Sequence, residues 1–116
     1  MTRNPTVAYH RGTVEAVFAA VADPTRRALL ERLRERGPLS ISDLSEGLPI
    51  TRQAVTKHLE VLRASGLISA RRAGRERIHE LDAEPLRAVD DWLRPYAEAW
   101  DERLAALRRH LGEDDR

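Results

Sequence analysis

The chain has 116 residues, the usual length of one domain, so a single core is expected and no second, catalytic domain fits beside it. Hydrophobic residues make up 41% and charged residues 34%, a globular composition, and with one Phe, two Trp and two Tyr the core must rest on Leu, Val, Ile and Ala. The absence of Cys excludes disulfides, thiolate metal ligands and thiol nucleophiles, and with no run of signal-peptide or membrane-span length a cytoplasmic protein without membrane association is expected.

The net charge of +1 conceals a division along the chain. Residues 51–80 hold seven Lys or Arg against three Glu, whereas residues 81–116 hold six Arg against ten Asp or Glu. A polyanionic partner should therefore meet the middle of the chain and avoid its end.

Val14, Val17, Phe18 and Val21 form an apolar stripe at helical spacing, which predicts a first helix of about three turns. It ends at Asp23-Pro24, where the carboxylate can cap a second helix and the proline fits the first helical position. Ala28, Leu29 and Leu33 give that helix an inner face, Arg residues its outer one, and Gly37-Pro38 its stop. Ser40 to Asp43 has the form of a capping box with Asp in place of Glu, followed by a short helix through Leu44 to Leu48. Past Pro49 and an inward Ile50, Thr51 can cap a helix with Val55, Leu59 and Leu62 on one face, running to Ser65-Gly66. Leu67 to Ala73 and Glu76 to Leu81 flank Gly74-Arg75 as a two-stranded hairpin. The last helix carries Leu86, Val89, Leu93, Tyr96, Trp100, Leu104, Leu107 and Leu111 at steps of three and four, close to a heptad seam, with a kink expected at Pro95.

This order is that of a mainly α winged helix-turn-helix with a small β-hairpin and a long terminal helix for dimerisation. Residues 1–12 are expected to be a flexible N-terminus, 13–111 the domain, and 112–116 a frayed tail. On the helix from Thr51, the outward residues near the N-terminus are Thr51, Arg52, Gln53, Thr56 and Lys57, whose side-chain types suit base edges and phosphates of a major groove. His58 beside them is read either as a phosphate contact or as a helix-packing residue. Arg71, Arg72, Arg75 and Arg77 crowd the hairpin and would reach phosphates or the minor groove as a wing. The apolar seam has more positions than one protomer can cover, so a dimer is expected through Val14, Val17, Phe18, Val21, Leu93, Tyr96, Trp100, Leu104 and Leu107.

Three segments sharpen the reading: Ala22-Asp23-Pro24-Thr25-Arg26-Arg27, the run from Ile50 to Leu62 containing Lys57-His58-Leu59, and Ala64-Ser65-Gly66-Leu67-Ile68. Together they resemble the ArsR family of bacterial repressors over roughly residues 14 to 111. The tail from Trp92 to Leu104 is similar to the branch of that family without metal ligands. The resemblance implies a homodimer joined through its first and last helices and bound to a double-stranded operator near its own promoter. His110 and Glu113 match half of a zinc site found in some members; the other half is missing, and two ligands do not make a zinc site, so no metal and no cofactor are expected.

The leading expectation is a sequence-specific, dimeric autorepressor. The alternative is a metal- or small-molecule-responsive sensor with an inducer site between the terminal helices, which rests on the resemblance alone and leaves the inducer unidentified. A winged helix serving protein contact fits the outward Gln53, Thr56 and Lys57 poorly. No Ser-His-Asp order, glycine-rich phosphate loop or metal triad points to an enzyme.

Overall fold

A computed structural model describes residues 5–112, with side chains from Thr13 onward. The expectations for residues 1–4 and 113–116, Glu113 among them, lie outside the described residues. Five helices and three strands follow in the order α1 (Pro5–Val21), α2 (Pro24–Arg36), β1 (Leu39–Ser40), α3 (Ile41–Ser45), α4 (Arg52–Ala64), β2 (Ile68–Ala73), β3 (Glu76–Leu81) and α5 (Glu84–Gly112). Among these described helices none is long and apolar enough to cross a membrane.

Helix α1 begins more than two turns before the apolar stripe, because a helix starts where its backbone permits and not where its buried face begins. The residues before Val14 have no apolar period, and only a proline tolerated in the first turn marks that start. Helix α2 opens as expected: Asp23 is extended and its carboxylate accepts from the Arg26 N–H at 3.0 Å, with Pro24 in the first turn. Leu29 and Leu33 point inward, where they meet Val17, Leu44, Val55, Leu59, Leu62, Leu67 and Ile68 in one cluster. Full burial of each such side chain contributes about 1.5–3 kcal/mol relative to exposure.

The sheet has three strands and not the two of a simple hairpin. β1 adds to the far edge of β3, pairing antiparallel as Leu39 with His79 and Ser40 with Ile78, to give the order β1-β3-β2. Two residues are too short to show an alternating pattern, which is why sequence periodicity passes over them. Ser40 then ends the strand and caps α3, its Oγ accepting from the Asp43 N–H at 3.2 Å. Helix α3 starts at the expected Ser40 cap but ends at Ser45, three residues short of Leu48, where Gly47 follows in the left-handed region at φ 79°.

Helix α5 has 29 residues, about 43 Å at the standard rise, and continues through Pro95. It reaches well beyond the body of the fold. The radius of gyration is 19.3 Å, where a compact chain of this length has about 13 Å.

His79, on β3, is buried at 5% exposure, and its Nδ1 finds no hydrogen-bond partner among the described residues. Burial holds its pKa below the usual 6.5; Arg77 adds to the effect while the Leu39 backbone and Glu60 oppose it. As pH falls below 6.5 the unfolded chain takes up this proton and the folded chain does not, so folding stability is expected to fall, with a slope of at most about 1.4 kcal/mol per pH unit. Urea unfolding of wild type and His79→Leu from pH 7.5 to 5 checks this: the difference between the two curves should change over that range, and parallel curves would show that His79 titrates alike in both states.

Candidate nucleic-acid interface

Helix α4 is positioned at both ends by its own sequence. Thr51 caps it, the Oγ1 accepting from the Ala54 N–H at 3.0 Å. At the other end Gly66 turns left-handed at φ 85°, its N–H donates to the Arg63 carbonyl and the Leu67 N–H donates to the Leu62 carbonyl, the paired bonds of a Schellman stop. Any Cβ at Gly66 would also lie 3.4 Å from the Pro85 ring. Between these ends Val55, Leu59 and Leu62 are buried, which fixes the rotation of the helix.

That rotation leaves Thr51, Arg52, Gln53, Thr56 and Lys57 exposed. A shallow hollow is lined by Thr51, Gln53, Ala54, Thr56 and Lys57. The two threonines are partly committed: Thr51 oxygen is the cap, and Thr56 donates its hydroxyl to the Arg52 carbonyl at 3.0 Å. Among the described residues no hydrogen bond or ion pair engages the polar ends of Arg52, Gln53 and Lys57. His58 departs from this group. Its side chain is turned toward α2, with Nδ1 3.3 Å from the Arg26 Nη1 and 3.9 Å from the Asp23 carboxylate, so the packing alternative describes its place. The Asp23 carboxyl is held below the ordinary carboxylate range, first by the Arg26 N–H it accepts and then by His58 and other neighbours.

The wing is β2 and β3, in register from Ile68 against Leu81 to Ala73 against Glu76. Its two-residue turn places Gly74 at φ 68°, while no non-glycine among the described residues has positive φ, the pattern of a type II′ hairpin. Arg72 and Arg77 lie directly opposite one another. Like charges in that relation repel, and among the described residues no ion pair engages Arg71, Arg72, Arg75 or Arg77. An added anion would relieve that repulsion. Arg75 and Arg77 come together with Arg52 from α4, with Ser40 and Ser42, and with Glu76 around a cleft of about 240 Å³. The two basic groups read separately from the sequence thus meet at one site. The serines were missed because the sequence shows them only as a cap and its neighbour.

The residues expected at a dimer face divide into two sets. Val14 and Val17 are buried and Val21 is half-buried within the protomer's own core, since the inner face of α1 packs on α2 and α5. Phe18, Leu93, Tyr96, Trp100 and Leu107 are exposed, and Leu104 is half-buried. Trp92, which falls off the heptad seam, joins them: its ring meets Phe18 edge-on at 5.4 Å and Tyr96 at 5.0 Å while remaining 46% exposed. Its signal in the sequence was the spacing of four from Tyr96. Among the described residues, no group of three or more His, Cys, Asp or Glu could hold a metal ion, and His110 is exposed on the last turn of α5.

A capped helix-turn-helix, a basic hairpin beside the second helix and a long terminal helix together define a winged helix-turn-helix protein. The helix-turn-helix domain family matches residues 21–70. The chain is similar to the HTH-type transcriptional regulator Rv2034 of Mycobacterium tuberculosis, with 43% identity over 65% of this chain and 69% of the relative. It is also similar to the transcriptional repressor SdpR of Bacillus subtilis, with 31% identity over 66% of this chain and 84% of the relative. The crystal structure of the ArsR family transcriptional regulator RHA00566 superposes with a TM-score of 0.69 at 36% identity, covering 87% of this chain and 97% of that one. The chain belongs to the ArsR family and is a DNA-binding transcriptional regulator.

Since one hydroxyl fixes the start of α4, Thr51→Ala is expected to lower folding stability by about 0.5–2 kcal/mol, with Thr51→Ser or Thr51→Asp losing little. Urea denaturation of the three variants measures it.

Proposed function

We propose that the protein is a homodimeric repressor that reads an operator with α4 and grips the flanking backbone with the wing. The observation that carries this is the cleft joining Arg52 to Arg75 and Arg77, next to the free Gln53 and Lys57. Guanidinium groups there suit phosphate, while the amide of Gln53 matches the adenine N6 and N7 edge and Lys57 a guanine edge. Repression, and control of its own promoter, follow the sense of the family resemblance and of the relative named as a repressor. Its role is binding and not catalysis, and no cofactor takes part.

The partner subunit is placed against α5. A helix that leaves Trp92, Leu93, Tyr96, Trp100 and Leu107 exposed, and extends beyond the protomer's body, lacks the cover that its seam requires. A second copy supplies a matching apolar face through two-fold symmetry and places two reading helices for two half-sites.

Phosphate and base contacts fail in different ways, which gives the decisive titration. Arg75→Ala with Arg77→Ala should weaken a selected operator and random duplex alike, and flatten the plot of log affinity against log salt by about 1 per lost phosphate contact. Gln53→Ala should cost about 1–3 kcal/mol per half-site on the operator and little on random duplex, with the slope nearly unchanged. Equal losses on both DNAs for Gln53→Ala would remove α4 from the reading role.

For the assembly, sedimentation of wild type at micromolar concentration should give a dimer. Trp100→Gln with Leu104→Gln should give a folded monomer whose operator affinity falls at least about tenfold, since one reading unit replaces two. A monomeric wild type overturns the dimer.

A further inference from the structure

The Arg26 side chain does not lie on the outer face of α2. Its Nε donates to the Ala20 carbonyl, its Nη2 donates to the Ala19 carbonyl at 3.1 Å, and its Nη1 stands 3.3 Å from the Nδ1 of His58 on α4. One guanidinium therefore holds the carboxyl end of α1 and a side chain of α4 at the same time. The planar fork with fixed donors makes this possible, whereas a lysine presents a single point charge. The position is half-buried, where such bonds are stronger than in open water.

The two ends of this bridge have different neighbours. On α1, Ala19 and Ala20 directly follow Phe18, whose ring meets Trp92 of α5 on the apolar face. On α4, His58 directly follows Lys57 and lies one turn beyond Gln53 and Ala54, next to the exposed N-terminal turns. Asp23 completes the node: it caps α2 through the Arg26 N–H and lies 3.9 Å from the same His58 nitrogen. The Asp23 to Arg26 segment thus has a task that its capping role alone does not explain.

We propose that Arg26 is a positioning residue that sets the orientation of α4 relative to α1, so that base reading depends on the Arg26 to His58 contact and through it on the apolar face of α1 and α5. This rests on α4 being the reading helix. The contact requires an acceptor at position 58, and it touches no DNA itself. Its loss should therefore lower discrimination between operator and random duplex more than it lowers general DNA affinity.

The test compares wild type, Arg26→Lys, His58→Ala, His58→Gln and the Arg26→Lys/His58→Ala double variant. Each is titrated against a duplex selected from a random pool and against an unselected duplex, with Tm recorded. Arg26→Lys keeps a cation near the α1 carbonyls but cannot span to α4. Both it and His58→Ala should lower the operator-to-random ratio by about tenfold, the scale of one charge-assisted hydrogen bond, and the double variant should lose no more than either single change. His58→Gln, whose amide oxygen can accept from Nη1, should restore the ratio to within about twofold of wild type. His58→Ala truncates a half-buried side chain that lies outside the core cluster, and a wild-type ratio in it overturns the proposal. So do additive losses in the double variant, a ratio in His58→Gln no better than in His58→Ala, or equal losses on both duplexes. If wild type itself fails to discriminate, the reading of α4 fails first, and the variants are not needed to see it.

Discussion

The fold turns on helix α2, which faces inward with leucine and outward with arginine, and uses both faces to bind its neighbours. Leu29 and Leu33 sit at 0% and 2% exposure at the centre of the core. From the same helix Arg26 and Arg27 donate to the carbonyls of Ala19, Ala20 and Val21 that end α1, and Arg32 donates to the carbonyls of Leu44 and Glu46 that end α3 at 2.9 and 2.7 Å. Helix ends leave their last carbonyls without partners, and a cation there also meets the negative end of the helix dipole. The carboxyl ends of two helices are thus completed by side chains of a third. The helix-turn-helix geometry depends on that service, because α3 has only five residues and no basic residue in its last turn.

The basic surface imposes an opposite constraint. Arg72 opposite Arg77, with Arg75 at the turn and Arg52 nearby, is an arrangement that costs energy in the free protein and loses that cost beside a polyanion. A surface of this kind binds phosphate without sequence preference, and salt weakens it. On the proposed reading, sequence preference comes from the few side chains of α4 that are neither capping nor buried, mainly Arg52, Gln53 and Lys57, so the orientation of that one helix would carry most of the information extracted from DNA. The rigidity of both α4 ends, a threonine cap and a Schellman stop, is consistent with that demand.

Much of this was legible in the sequence where the signal is local. The α4 boundaries follow from Thr51 and Gly66, the wing from Gly74, and the start of α2 from Asp23-Pro24, because caps and turns are decided within four or five residues. What stayed hidden depends on partners distant in the chain. β1 is too short for a period and exists because β3 lies beside it; the apolar residues of α1 look alike, yet Val17 enters the core and Phe18 the surface. Arginines on an amphipathic helix read as a solvated face, and only the fold brings Arg26, Arg27 and Arg32 to carbonyls six to fourteen residues away. His58 was ambiguous for the same reason, since its environment is set by α2 and not by its own helix.

In the proposed dimer the long helix acts on DNA binding through mass action. A single α4 with a handful of base contacts discriminates weakly, since each good contact is worth only about 1–3 kcal/mol. Two reading helices on one rigid dimer add their contacts, and symmetry fixes the spacing of the half-sites to the helical repeat of DNA. In the proposed dimer, the free energy released on covering the exposed Trp92, Tyr96 and Trp100 face would become part of the affinity for DNA, because only a dimer presents two such helices at once. The acidic excess after Leu81 fits the same division, since it disfavours phosphate along α5 while the basic middle attracts it. If α4 is placed through Arg26 as proposed, a change in the packing of α1 on α5 would reach the reading helix by way of the Ala19 and Ala20 carbonyls that Arg26 holds.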